Sequence, residues 1–215
     1  MIGSWDGKGI TGIADSNYVK VMVLKALGAD GKGDSKDVIA AVQYAKENGA
    51  RICNLSFGAP TYDPQLDAAI RDSGMLFVIS AGNGDPSGAG LDIDETPVYP
   101  ASFSAGNTIT VANVVFDGSL HPSSNYGRGS VDIAAPGSYI LSTTSGHGYG
   151  YMTGTSMAAP MVTGAAALIA SCRPELSVTE LKDAILTSVR KLDTMEGKVS
   201  TGGILDVYGA ISYKK

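Results

Sequence analysis

Ile52-Cys53-Asn54-Leu55 and Leu76-Phe77-Val78-Ile79 are short, bounded apolar runs, and the segment between them reads as one helix. Asp63-Pro64 supplies an N-cap followed by proline at the first helical position. Leu66, Ala69 and Ile70 form the apolar stripe, and Gly74 closes the helix. The same unit stands just upstream. Val19-Lys20-Val21-Met22-Val23-Leu24 reads as a buried strand ended by the glycine-rich run Gly28 to Gly33. A helix capped by Asp34 or Ser35 then carries Val38, Ile39, Ala41, Val42 and Ala45 on one side and stops at Gly49. Strand, helix, strand, helix, strand with short connections predicts a parallel sheet, because parallel neighbours need crossover connections. The expected fold class is α/β, a mostly parallel sheet flanked by helices, in a single domain over residues 1–215.

Beyond Asn83 the glycine-rich, acidic stretch to Glu95 has no period and reads as a surface loop. Strands are expected at Ile109 to Val115, Val131 to Ala134 and Tyr139 to Ser142. Helices follow from about Ser156 to Cys172 and from Val178 to about Lys191, the second opened by a capping box, Ser177-Val178-Thr179-Glu180.

Bulk properties narrow the function. At 215 residues the chain can bury a real core. Its 28 glycines speak for tight turns and close backbone approaches rather than disorder, because apolar residues still make up 44%. A formal charge of -5 without a basic block removes the electrostatic footprint expected of a nucleic-acid binder and gives an anionic membrane nothing to attract, so neither partner is expected. No uninterrupted apolar stretch of membrane-spanning length is expected, since Gly164 and small residues fill the most hydrophobic helix. Cys53 and Cys172 lie in unlike contexts and read as free thiols, a weak pointer to a reducing compartment that leaves localisation open.

Gly154-Thr155-Ser156-Met157-Ala158-Ala159-Pro160 lies where a loop enters the long helix. Ser156 is thereby placed at a helix N-terminus, where backbone N–H groups lack helical partners and favour a developing anion. On position alone Ser156 is either an N-cap or a nucleophile. Pro160 is expected within the first turn, where a missing N–H costs nothing, and Gly164 to allow close approach of neighbouring backbone.

This stretch, with Met161-Val162-Thr163-Gly164-Ala165-Ala166-Ala167-Leu168 after it, closely resembles the nucleophile signature of the subtilisin-like serine proteases. So do Ile52 to Gly58, which resembles the family's substrate-binding strand, and Val78 to Asn83, which resembles its oxyanion segment. Ser124-Asn125-Tyr126-Gly127 and Ala134-Ala135-Pro136-Gly137 match later landmarks in family order. The resemblance implies a subtilisin-like three-layer fold and a serine endopeptidase acting on peptide or protein substrates. It implies Ser156 as nucleophile, and the Asn83 amide with the Ser156 N–H as oxyanion donors. Ser56, Phe57 and Gly58 would bind substrate backbone as an added strand, and Ser80, Ala81 and Gly82 would line the pocket before the scissile bond.

The family orders its triad Asp, His, Ser, and the resemblance places the first two before Met1. Neither His121 nor His147 has the family's Gly-Thr-His context. The chain alone is therefore expected to be inactive, with a non-catalytic, peptide-binding pseudoprotease as the alternative. The family also sets the aspartate-bearing strand between partners matching Val19 to Leu24 and Ile52 to Leu55. The gap is expected to be met by a homo-oligomer or by a complementing N-terminal segment. Relatives hold calcium in loops matching Asp6 to Ile10 and Pro97 to Tyr99. Asp6 is one candidate ligand, the other ligands of that site are expected before Met1, and calcium is left open with no metal assigned.

Overall fold

The computed structural model describes residues 1–85 and 87–213. Two short strands, β1 (Ile2–Gly3) and β2 (Ala14–Asp15), pair in parallel at the start. Then α1 (Ser35–Glu47), β3 (Ile52–Leu55), α2 (Pro64–Arg71), β4 (Leu76–Ser80), β5 (Thr108–Val114) and β6 (Ile133–Pro136) follow. The capping chemistry is as the sequence predicts. Asp34, not Ser35, caps α1 by accepting from Lys36 N, Asp63 caps α2 through Gln65 N and Leu66 N, and Gly49 and Gly74 take positive φ of 76° and 75° past the helix ends.

The six-stranded sheet runs β3-β4-β5-β6-β10-β9, where β9 is Arg190–Lys191 and β10 is Gly203–Ile204. All pairings are parallel except that of β9 with β10. Alternation along the strands builds two cores. Phe77 and Ile79 of β4, with Ala112 and Val114 of β5, face Val38 and Val42 of α1 and Leu66 and Ile70 of α2. Leu76, Val78, Ile109 and Val111 face the other way, onto α3 (Thr155–Cys172) and α4 (Val178–Thr187). The result is a mixed α/β fold whose mostly parallel sheet lies between helices. Outside it, β7 (Ile140–Thr144) and β8 (Gly148–Met152) form a separate antiparallel ribbon, and α5 (Val207–Ile211) packs on α4.

Three expectations need correction. Val19 to Leu24 is not a buried strand: it pairs with nothing among the described residues, and Val21 and Val23 are 57% and 85% exposed. A strand exists only through its neighbour's hydrogen bonds, and among the described residues no strand pairs with the outer side of β3. The helix opened by the Ser177–Glu180 capping box ends at Thr187 rather than Lys191, because Arg190 and Lys191 pair with β10. Finally, α3, at 18 residues, is long and apolar enough to cross a membrane by length and composition. Its apolarity is accounted for by burial, Ala158, Ala159, Val162, Ala166 and Ile169 being wholly covered by the sheet and α4.

Candidate functional site

The carboxyl ends of β3 and β4 and the N-terminus of α3 converge. Parallel β3 and β4 leave the sheet at the same end, which places Ser56-Phe57-Gly58 beside Ser80-Ala81-Gly82. Thr155 ties this end to the helix. Its hydroxyl accepts from Gly82 N at 3.1 Å and donates to Asn83 Oδ1 at 3.1 Å, while its backbone N–H donates to the same oxygen at 2.8 Å. The carboxamide oxygen of Asn83 is thus held by Thr155, and its Nδ2 has no acceptor among the described residues. Gly154 makes this approach feasible: a Cβ there would stand 3.3 Å from both Asn83 Nδ2 and Oδ1.

Ser156 is the second residue of α3 and is half-buried. Its N–H lies in the first turn, where no helical carbonyl can reach it. Pro160 is the sixth helical residue, not a first-turn one, so the expected reason for its tolerance fails. Its missing N–H leaves the Ser156 carbonyl without a helical donor, and Ser56 Oγ donates to that carbonyl at 3.4 Å. Ser56 is in turn hydrogen-bonded by Asn54 Nδ2 at 2.9 Å, and Asn54 Oδ1 accepts from Thr163 Oγ1 of α3 at 2.8 Å.

Of the residues singled out by sequence, Ser156, Asn83, Ser56, Gly82 and their strips meet here. Ser80 and Ala81 are buried, Gly58 is exposed, and Phe57 leans on the core beside α1 and α2. Three supporting residues had no assigned role: Thr155, Asn54 and Asn125. Buried Asn125 clamps the loop after β4, donating to Ala81 O and accepting from Gly84 N and Leu91 N. A short polar residue at a turn gives no sign in sequence that three separate segments will close on it.

The histidines lie elsewhere. His121 Nδ1 is 3.0 Å from Ser123 Oγ, and His147 takes φ 62° in the turn of the β7–β8 ribbon. Among the described residues neither bonds to Ser156. Asp6 Oδ1 accepts from its own loop at Lys8 N, the Tyr99 carbonyl accepts from Ala59 N, and no three acidic, His or Cys side chains converge among the described residues. By themselves the described residues supply fewer oxygens there than the six to eight that calcium takes. Both cysteines are free, and burial pushes the Cys53 thiol up to about 11, which keeps it unreactive.

The model of the Subtilase family matches residues 1–210. The thermophilic serine proteinase of Bacillus sp. (strain AK1) is 35% identical over 95% of this chain and 48% of its own length. The major intracellular serine protease of Bacillus subtilis (strain 168) is 36% identical over 82% of this chain and 54% of its own. A solved protease structure from Pseudoalteromonas arctica superposes with a TM-score of 0.75 at 29% identity, covering 87% of this chain and 60% of that one. The chain thus spans about half the length of the two curated relatives. On the near-complete family match, the shared architecture and these relatives, the chain belongs to the subtilase family of subtilisin-like serine proteases.

Proposed function

We propose that this chain carries the nucleophile and oxyanion half of a serine endopeptidase active site, and that it is inactive by itself. The observation that carries the reading is a pair of free donors beside one half-buried serine. Asn83 Nδ2 is left open because Thr155 holds the carboxamide oxygen, and the Ser156 N–H is open because it starts a helix. Two donors fixed beside a nucleophile are what a tetrahedral oxyanion needs.

In the proposed step Ser156 Oγ attacks the scissile carbonyl carbon while its proton passes to a base. The C–N bond breaks, the amine leaves with that proton, and water then hydrolyses the acyl-Ser156 ester. Ser56 to Gly58 would hold the substrate backbone, and Ser80 to Gly82 the side chain before the cleaved bond. With His121 bonded to Ser123 and His147 in the turn of the β7–β8 ribbon, and neither bonded to Ser156 among the described residues, the base and its orienting carboxylate would come from a segment outside this chain. The second reading is a pseudoprotease that binds peptide without cutting it.

Fluorophosphonate labelling separates the two readings. A form extended by the coding sequence in frame before Met1 is expected to be labelled on Ser156, whereas residues 1–215 alone remain unlabelled. An extended form that binds peptide but takes no label supports the pseudoprotease.

A further inference from the structure

Asn83 is exposed, so packing does little to fix it, and its aim depends on Thr155 at the carboxamide oxygen and on the backbone that carries it. That backbone, Ala81 to Gly84, is gripped by one residue of the β5–β6 connection. Asn125 Nδ2 donates to Ala81 O at 2.9 Å, the Asn125 backbone N–H donates to Gly82 O at 3.0 Å, and Asn125 Oδ1 accepts from Gly84 N at 2.8 Å. These bonds bracket Asn83 on both sides. The same oxygen accepts from Leu91 N at 3.0 Å, which closes the neck of the loop that follows Asn83. Gly82 and Gly84 take φ of 98° and 78°, and a Cβ on Gly82 would stand 2.6 Å from Asn125 Nδ2, so the turn lies directly against the carboxamide.

We propose that Asn125 is a positioning residue for catalysis, holding the Ala81–Gly84 turn so that the Asn83 carboxamide meets the oxyanion. This rests on the reading of Asn83 as the oxyanion donor. Asn125 never touches substrate in this role and acts through Asn83. The holder is itself held: Asn125 is buried, Ser124 Oγ accepts from Asn113 N at 2.9 Å, Tyr126 N donates to Leu91 O at 3.0 Å and Gly127 N to Lys198 O at 2.9 Å. A side chain locked by burial and by bonds on both flanks can keep its partners at a fixed place. The residue type is specified as well. A carboxamide offers one oxygen with two lone pairs for Gly84 N and Leu91 N, and an N–H for Ala81 O. A carboxylate of the same reach keeps the first function and loses the second.

A double-mutant cycle with Asn83→Ala, read by peptide cleavage in the form extended by the coding sequence in frame before Met1, tests this. Asn125→Ala and Asn125→Asp should each lower kcat about tenfold or more with a smaller change in KM. In the Asn83→Ala background the same changes should cost less than about threefold, because no donor is left to misplace. Losses that multiply in full in both backgrounds would mark a merely structural role and overturn the proposal, as would an unchanged kcat in the single variants. An Asn83→Ala form that keeps the parent's kcat is a different result: it overturns the oxyanion reading, and the role of Asn125 with it. Hydrogen exchange on the unsubstituted protein needs no variant to fold. The Gly84 and Leu91 N–H groups should exchange about a hundredfold or more slower than free chain. Unprotected exchange at both would show that the clamp does not persist and would overturn the proposal independently of activity.

Discussion

The hydroxyl of Ser56 donates to the carbonyl of Ser156 at 3.4 Å, the one acceptor in α3 that Pro160 deprives of its helical N–H. The substrate-binding strip and the nucleophile are thereby coupled at a point where the helix ladder is broken. Ser56→Ala removes the side-chain donor to that carbonyl and should cost about 1 kcal/mol of stability. Pro160→Ala restores the N–H and should raise stability by about 1–3 kcal/mol. Urea melts of the two variants check both signs.

Thr155 holds Asn83 through two hydrogen bonds to one oxygen. Thr155→Val removes the hydroxyl bond and the acceptor for Gly82 N, freeing the carboxamide to turn. In a form of the protein that cleaves peptide, kcat should fall about tenfold or more with little change in KM, and Thr155→Ser should restore it. A rise in KM at unchanged kcat would count against an oxyanion role for Asn83.

Gly164 lets α3 touch the N-terminal segment. A Cβ there would stand 2.9 Å from the Met1 carbonyl and 3.0 Å from Ile13 Cβ. Gly164→Ala should therefore destabilise by about 1–3 kcal/mol despite alanine's better helix propensity, which a denaturant titration reads directly.

Asp132 precedes β6 with its carboxyl inside, Oδ2 accepting from Thr110 N at 2.7 Å, and burial raises its affinity for a proton. The folded state then binds that proton more tightly than the unfolded state does. Stability from this group falls as pH rises from the ordinary carboxylate value through the raised one. Asp132→Asn keeps an acceptor for Thr110 and removes the buried charge. Its melting temperature should exceed that of the parent by a few degrees at pH 8 and by less at pH 4. An equal gap at both would contradict this assignment.

Much of the fold was legible because the strand and helix periods, the caps at Asp63 and Ser177 and the closing glycines act locally. Val19 to Leu24 misled for the opposite reason: its composition says strand, but strand formation is decided by a neighbour that the run's own sequence does not specify. Pro160 was misplaced because even a start at Ser156 makes it the fifth helical residue, past the N–H groups without helical partners, and the described helix opens one residue earlier still, at Thr155. At the site, the Gly154 to Pro160 stretch and the segment ending at Asn83 were readable as motifs. The bonds of Thr155 to Asn83 and of Asn125 to Ala81, Gly84 and Leu91 join residues dozens of positions apart and have no local signal.

Casein cleavage is the most direct test of the central claim that Ser156 is a protease nucleophile whose base lies outside this chain. Purified residues 1–215 should release no peptide above background. The product extended by the coding sequence in frame before Met1 should cleave, and Ser156→Ala should abolish that cleavage. Cleavage by residues 1–215 alone that Ser156→Ala removes, or cleavage by the extended product that survives Ser156→Ala, would contradict the account.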